Sequence, residues 1–232
     1  METEILLKPF NNCIEELKDF LQVETLKYKN RKEAANAVAD FFRETNPKTE
    51  EEYDEFYKSC DDYIYENVYC NSENPVKQRV KKVLQILKDN NVKTILEIGI
   101  GAGSYSLALA ELGFDVTVLK SNNLPFKFFE ERNKKYGKKV KIIEDLKEEK
   151  FDCIINFDVI EHIIDPFSFI DFISLHTNMV VFTHGLGVHR EDMGGYPQHF
   201  DFKINDIRKH FKKLNFKKQK VNSIFPPHFY KR

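Results

Sequence analysis

The sequence predicts an α/β fold, with a doubly wound, mostly parallel seven-stranded sheet and an α-helical N-terminal cap. Three observations support it. Residues 1–90 show helical spacing without a single glycine, short apolar segments then alternate with helical ones, and a glycine-rich turn follows the first of them. Short apolar strands separated by helices are typical of a parallel sheet covered on both faces. We therefore expect a helical cap over residues 1–90 and a second domain over residues 91–232.

The alternation of strands and helices begins after one amphipathic helix. That helix is predicted in NPVKQRVKKVLQILKDNN, where Pro75 suits the first turn. Five strands are predicted at Thr94–Ile98, Asp115–Leu119, Val140–Ile143, Asp152–Phe157 and Met179–Thr183. Helices are predicted between them at Ser104–Leu112, about Pro125–Tyr136 and Pro166–His176. Gly113 and Gly137 would end the first two of these helices.

The C-terminal segment predicts one more helix and two more strands. Apolar residues recur there at intervals of three, four and three, at Ile204, Ile207, Phe211 and Leu214. Two apolar segments follow, around 216–221 and 225–230. We expect them to complete the sheet as an antiparallel pair.

The composition is that of an ordinary globular protein, and it excludes several classes. The formal net charge is −1, so the molecule as a whole does not attract nucleic acid or anionic membranes. No apolar run approaches the roughly 20 residues of a spanning helix, so we expect no membrane insertion. The start METEILLKPFNN does not resemble a signal peptide. The four cysteines form no CxxC pair, which makes a zinc knuckle or disulfide framework improbable and a cytoplasmic location the expectation.

The segment ILEIGIGAGSYS, residues 95–106, predicts a cofactor site. A strand, a glycine turn and a helix start present free N–H groups and allow close approach to the backbone. Gly99, Gly101 and Gly103 form GxGxG instead of the dinucleotide fingerprint GxGxxG. Glu97 precedes them; its carboxylate would repel a pyrophosphate but would pair with the ammonium of a methionine moiety. The pattern favours S-adenosylmethionine over a dinucleotide, and a purely structural turn is the remaining alternative.

Two segments together resemble the class I S-adenosylmethionine-dependent methyltransferases. They are LEIGIGAGSYSLALAELGFDVTVL and FDCIINFDVIEHIIDP, and the second resembles in particular the quinone-biosynthesis O-methyltransferase type. The resemblance covers roughly residues 92–181 and implies a Rossmann-like fold. It implies that Glu97 and the three glycines hold the amino acid part of the cofactor. It further implies that the adenine lies near Glu144, Asp145 and Leu146, and that Asn156, Phe157 and Asp158 face the methionine and the acceptor.

The end of the second predicted strand departs from this family. The family usually has an acidic residue there, which accepts hydrogen bonds from the ribose, whereas this chain has Lys120 and Ser121. Ser121 or Asn122 would then contact the ribose. Alternatively, Lys120 would pair with a 2′-phosphate, which would indicate an NADP oxidoreductase. A third alternative is a non-catalytic, partner-binding subunit whose cofactor site has degenerated.

Three histidines are candidates for a catalytic base. His162 follows the fourth predicted strand, His184 follows the fifth, and His199 lies in the segment after it, together with His189. Ligands of open α/β sheets gather at the carboxyl ends of strands, and a histidine near neutral pH can take a proton from a hydroxyl or amine. We expect the glycine-rich segment 185–197 to cover the acceptor. The expected acceptor is a small molecule methylated on oxygen or nitrogen.

A metal site is a weaker alternative to a metal-free histidine base. Asp158, Glu161 and His162 would share one side of a short helix, and with His199 they offer ligands for Mg²⁺, Mn²⁺ or Zn²⁺. Some quinone-pathway and small-RNA 2′-O-methyltransferases are similar, so a metal-assisted RNA methyltransferase is the second functional hypothesis. The eight basic residues between Lys203 and Lys220 fit a solvated helix face better than an RNA surface. The sequence does not indicate an oligomeric state.

Overall fold

The computed structural model describes residues 1–185, 191, 194–200, 202–223 and 227–232. Six helices precede the first strand: α1 (Glu2–Asn11), α2 (Cys13–Leu21), α3 (Arg31–Thr45), α4 (Glu50–Ser59), α5 (Tyr63–Ser72) and α6 (Asn74–Asp89). Four alternate with or follow the strands: α7 (Ser104–Glu111), α8 (Leu124–Lys135), α9 (Pro166–His176) and α10 (Ile204–Lys213). A short 3₁₀ turn spans Ile160–His162.

Seven strands form one sheet in the order β3-β2-β1-β4-β5-β7-β6. They are β1 (Thr94–Glu97), β2 (Asp115–Leu119), β3 (Lys141–Ile143), β4 (Cys153–Phe157), β5 (Met179–Thr183), β6 (Lys217–Gln219) and β7 (His228–Lys231). The first five strands run parallel, whereas β7 is antiparallel to both β5 and β6. The predicted fold class, including the C-terminal antiparallel pair, is confirmed.

The last strand begins later than predicted. The sequence places it at 225–230, and the structure at His228–Lys231. Pro227 stands directly before it, and a proline has no N–H to donate to a ladder, so pairing begins after that residue. Residues 225 and 226 lie outside the described part of the chain.

Helices cover both faces of the sheet, as the apolar character of the strands on both faces requires. On one face α1, α6 and α7 pack against Ile95, Val118 and Ile155. On the other face α9 and α10 pack against the alternate strand residues, such as Leu96 and Ile154. Because α1 and α6 share the sheet's core, only α2–α5 form a layer of their own. The boundary at residue 90 stays a prediction.

Arg132 connects the N-terminal helices to the glycine turn. Its guanidinium is 1% exposed and pairs with Glu16 of α2 at 2.7 Å. It also donates to the carbonyls of Pro9 in α1 and Ala102, and to the Ser104 hydroxyl at 3.0 Å. A single side chain of α8 thus holds both the first helices and the start of α7.

In the part of the chain that the structure describes, no helix combines the length and the apolar character needed to cross a bilayer.

Candidate active site

A cavity of about 620 Å³ opens at the carboxyl ends of the central strands and extends beneath the N-terminal helices. The sheet side is formed by residues that follow β1, β2, β4 and β5: Gly99, Gly101, Ser121, Asp158 and His184. The helical side is formed by α3–α6, through Arg31, Tyr57, Tyr63, Asn67 and Arg79. The cavity is of the size that small ligands occupy in proteins.

The glycine turn carries the chain from β1 to α7 in left-handed conformations. Gly99, Gly101 and Gly103 have φ of 75°, 51° and 73°, which side chains disfavour. Gly101 is restricted further, because a Cβ on it would lie 2.0 Å from Oδ1 of Asn67 in α5. The turn therefore needs glycine for its backbone, and Gly101 also leaves room for the Asn67 side chain of α5.

Glu97 ends β1 with its carboxyl group buried at the cavity wall. The residue is 2% exposed, and the Ser106 hydroxyl donates to Oε2. Burial raises the pKa of Glu97 to about 8, since no described cation stabilises the carboxylate. A cation at this point of the cavity would supply the missing charge.

Asp158, directly after β4, is held by α6 and β5. Its Oδ2 lies 2.8 Å from Nη1 of Arg79, and its Oδ1 accepts from the Thr183 hydroxyl at 2.8 Å. Burial opposes ionisation, but the Arg79 guanidinium and the hydrogen bonds outweigh it and keep the pKa of Asp158 below its usual value. Asp158 has φ of 55°, a strained conformation for a non-glycine residue that is often found at functional sites.

His162 lies at the floor of the cavity and is oriented by the N-terminal helices. Its Nδ1 shares a hydrogen bond of 2.6 Å with the Tyr57 hydroxyl of α4. Burial, reinforced by the neighbouring His199, lowers the pKa of His162 to about 3, so the imidazole is neutral at physiological pH. A neutral imidazole can accept a proton or bind a metal ion.

Glu161, His162 and His199 form a compact group. One potential ligand atom from each lies within 4.8 Å of the others, and the His162 and His199 rings are 4.6 Å apart. The Gly185 N–H donates to Oε1 of Glu161, whereas Oε2 is buried with no hydrogen-bond partner among the described residues. Burial, followed by the nearby Asp158 charge, raises the pKa of Glu161. Asp158 faces Arg79 and Thr183, so the structure brings together three of the four predicted metal ligands.

All three predicted histidines, His162, His184 and His199, line the cavity. His184 follows β5, and its ring stacks on His228 of β7 at 4.8 Å. His199 stacks on Tyr196 at 4.8 Å. Much of the predicted covering segment, residues 186–190 and 192–193, lies outside the described residues, and His189 lies there too.

The predicted contacts to ribose and adenine are only partly brought to the cavity. Ser121 lines it, but the exposed Lys120 turns away and pairs with Glu144 at 2.6 Å, beyond the end of β3. Asp145 is exposed, and Leu146 packs against the apolar residues on the face of the sheet that α9 and α10 cover. Neither residue lines the cavity. A 2′-phosphate in the cavity would therefore lack the cation that the oxidoreductase hypothesis requires.

Asn156 is also set apart from the cavity. It lies in β4 with 1% exposure, and its Oδ1 has no hydrogen-bond partner among the described residues. The next two residues, Phe157 and Asp158, line the cavity. Asn156 therefore stands behind the wall that these two residues form.

The cavity-lining residues that the sequence did not indicate come from the N-terminal helices. Arg31, Tyr57, Asn67 and Arg79 reach the cavity from four different helices. The only signal was the aromatic-rich segment around α4 and α5, which is more typical of helix packing. Phe56 does pack in that way, whereas its neighbour Tyr57 faces His162.

Solved structures of methyltransferases share this fold. The magnesium protoporphyrin IX methyltransferase of Synechocystis PCC 6803, with S-adenosylmethionine bound, is 15% identical and covers 89% of this chain and 98% of its own, with a TM-score of 0.54. An S-adenosylmethionine-dependent methyltransferase of Clostridium acetobutylicum is 14% identical, with coverages of 72% and 95% and a TM-score of 0.54. TehB of Haemophilus influenzae is 18% identical, with coverages of 72% and 66% and a TM-score of 0.53. At such identities these likenesses show the fold alone.

The family follows from the sequence itself. No curated protein matches the chain significantly. A family model described as a methyltransferase domain matches residues 72–218, which is more than half of the chain, and confirms the predicted enzyme class. With the glycine turn after β1 and the DVIEH segment after β4 both inside this match, the chain belongs to the methyltransferase domain family.

Proposed function

We propose that the protein transfers a methyl group from S-adenosylmethionine to an oxygen or nitrogen atom of a small-molecule acceptor. The observation that carries the proposal is that one cavity is lined by two chemically different groups of side chains. A buried carboxyl group beside a glycine turn lies on its sheet side, and three histidines, of which His162 is held neutral by burial, also line it. The carboxyl group and the glycine turn suit the ammonium and carboxylate groups of an amino acid. The histidines suit removal of a proton from an acceptor.

Glu97 and Arg79 are the proposed holders of the amino acid part of the cofactor. An ammonium beside Glu97 would stabilise the carboxylate that burial disfavours. The guanidinium of Arg79 lines the same cavity and would bind the carboxylate group while keeping its contact with Asp158. Ser121, after β2, takes the ribose contact that an acidic residue usually makes in this family.

The acceptor is proposed to lie among His162, His184 and His199. S-adenosylmethionine supplies an electrophilic methyl group when bound. The chain has to place the acceptor in line with it and to exclude water, and the helices α3–α6 provide that enclosure. A histidine would take the proton of the acceptor hydroxyl or amine as the acceptor atom bonds to the methyl carbon, and the carbon–sulfur bond would break with the thioether of S-adenosylhomocysteine as the leaving group. The likeness of the DVIEH segment to quinone-biosynthesis O-methyltransferases favours an oxygen acceptor.

The proposal predicts binding of the reaction product S-adenosylhomocysteine at micromolar strength. In titration calorimetry, Arg79→Gln should weaken this binding at least about tenfold, since a hydrogen bond to a charged group is lost. Lys81→Gln, which removes the same charge from α6, provides the matched control and should leave binding unchanged. Absence of binding in the unaltered protein would refute the proposal.

A metal-assisted reaction is the second candidate, and one observation favours it. The ligand atoms of Glu161, His162 and His199 lie within 4.8 Å of one another, and Glu161 Oε2 has no described hydrogen-bond partner. One carboxylate and two imidazoles suit Mn²⁺ or Zn²⁺. These residues would hold the ion, which would lower the pKa of an acceptor hydroxyl.

The metal hypothesis predicts stoichiometric Mn²⁺ or Zn²⁺ binding to the free protein. His199→Gln should weaken that binding about 100-fold or more, while His210→Gln, on the surface of α10, should not change it. Calorimetry with each ion on protein treated with chelator measures both effects. Equal affinities of the two variants, or no binding at all, would leave the metal-free histidine base as the mechanism.

A further inference from the structure

The end of β5 carries a second group of polar side chains, outside the cavity described above. Antiparallel pairing sets His228 opposite Phe182 and Lys218 opposite Tyr230, so these four side chains share one face of the sheet. The α10 helix covers this face, with Phe211 stacked on Tyr230 at 4.3 Å. One turn earlier on the same helix side is Arg208.

We name Arg208, Lys218 and His228 the cationic cluster. Lys218 is largely exposed, and partial desolvation, followed by the Arg208 charge, lowers its pKa. Burial, followed by the neighbouring His184 ring and the charges of Lys218 and Arg208, lowers the pKa of His228 to about 3, so Arg208 and Lys218 carry the charge of the cluster. No described carboxylate forms an ion pair with Arg208 or Lys218. Mutual repulsion without a counter-charge marks a place where an anion would be stabilised.

Buried donors in the cluster also lack partners. Nε of Arg208 and Nδ1 of His228 are buried and have no hydrogen-bond partner among the described residues. Arg208 uses Nη1 for Asn205 at 3.0 Å, and its guanidinium lies beside the Tyr230 hydroxyl. Since a buried donor left unpaired costs free energy, a ligand that accepts from Arg208 and His228 would remove that cost.

His184 joins the cluster to the cavity. Its ring lines the cavity and stacks on His228 at 4.8 Å with an interplanar angle of 18°. The two cavity arginines already have partners: Arg31 pairs with Glu66 at 2.8 Å, and Arg79, which pairs with Asp158 at 2.8 Å, is the proposed partner of the cofactor carboxylate. Arg208 and Lys218, which have no described carboxylate partner, act electrostatically on both His184 and His228.

We propose that the cationic cluster binds the anionic group, a phosphate or carboxylate, of the methyl acceptor, which reaches over His184 from the cavity. The inference rests on the proposed function, and it narrows the acceptor to an anionic small molecule. Arg208 and Lys218 supply charge and hydrogen-bond donors, and the neutral ring of His228 supplies a third donor through its N–H.

The experiment is a titration of the full chain, carrying ¹⁵N-labelled histidine, with phenyl phosphate and with inorganic phosphate, followed by NMR. Both probes should shift the His228 and His184 resonances in a saturable way. Phenyl phosphate should in addition shift His162, because its ring enters the cavity. The substitutions Arg208→Gln and Lys218→Gln should each weaken the binding of both probes about tenfold or more. Lys212→Gln, on the outer side of α10, should change it less than about twofold.

Several outcomes would overturn the inference. Equal weakening by Lys212→Gln and Lys218→Gln would indicate a general charge effect instead of a site. A phenyl phosphate response confined to His228 would show that the bound anion is not part of the acceptor. The same variants are titrated with S-adenosylhomocysteine, which they should bind unchanged. If the unaltered protein did not bind S-adenosylhomocysteine, the methyltransferase proposal would be refuted, whatever the result for the anion site.

Discussion

Binding of S-adenosylhomocysteine is expected to tighten about 50-fold between pH 6 and pH 8. The cause is Glu97, whose pKa burial raises to about 8 in the free protein. If the ligand ammonium pairs with ionised Glu97, only the ionised fraction binds, and that fraction rises from about 1% at pH 6 to about half at pH 8. Calorimetry at several pH values measures this, and buffers of different protonation enthalpy should report release of a proton on binding.

The matched control is Glu97→Gln, which keeps the shape of the side chain and removes its titration. Its affinity should be low and nearly independent of pH in this range, apart from titration of the ligand itself. If the unaltered protein and Glu97→Gln followed the same curve, Glu97 would not contact the ammonium.

The contribution of Glu97 to the free energy of unfolding should fall, not rise, as the pH increases. Because the folded pKa of Glu97 exceeds the unfolded one, its contribution is complete at pH 4 and is lost as pH rises through about 8.

Arg132→Met is expected to lower the free energy of unfolding by about 3–5 kcal/mol. The substitution leaves the buried Glu16 carboxylate with only the more distant, exposed Lys135 at 3.7 Å and the carbonyls of Pro9 and Ala102 without the Arg132 donor. Urea unfolding followed by circular dichroism measures the change. Lys134→Met, which removes a cation from the exposed side of the same helix, should cost less than about 1 kcal/mol.

A second substitution tests the origin of this loss. Adding Glu16→Gln to Arg132→Met removes the stranded charge and should recover part of the stability. Tyr136 donates to Glu16 at 3.1 Å and can still donate to the amide oxygen. If the single variant lost less than about 1 kcal/mol, Arg132 would not hold the N-terminal helices to the glycine turn.

A structural feature could be predicted from the sequence when neighbouring residues in the chain determine it. The strands, the helices and the glycine turn follow from the spacing of apolar residues and glycines along the chain, and the structure has them in the predicted order. His162 and His184 could be placed at the cavity because each directly follows a strand of the parallel sheet. These predictions required only the sheet topology.

The direction of individual side chains required contacts that the sequence does not show. Lys120 follows β2 as expected, but it turns away because Glu144, beyond β3, offers a carboxylate there. The placement of Tyr57 and Arg79 depends on how the N-terminal helices cross the sheet, which is decided by long-range packing of α1 and α6 against β1 and α7. No local pattern distinguishes Tyr57 from the neighbouring aromatics that pack internally.

The cavity draws its two sides from separate stretches of the chain. Tyr57, Tyr63 and Asn67 lie before residue 72, where the family match begins, whereas the glycine turn and the DVIEH segment lie inside it. The helical side of the cavity is therefore formed largely by residues that precede the family match, and the sheet side by residues inside it. Substitutions in α3–α5 would therefore alter the helical side of the cavity without changing the two segments by which the family is identified.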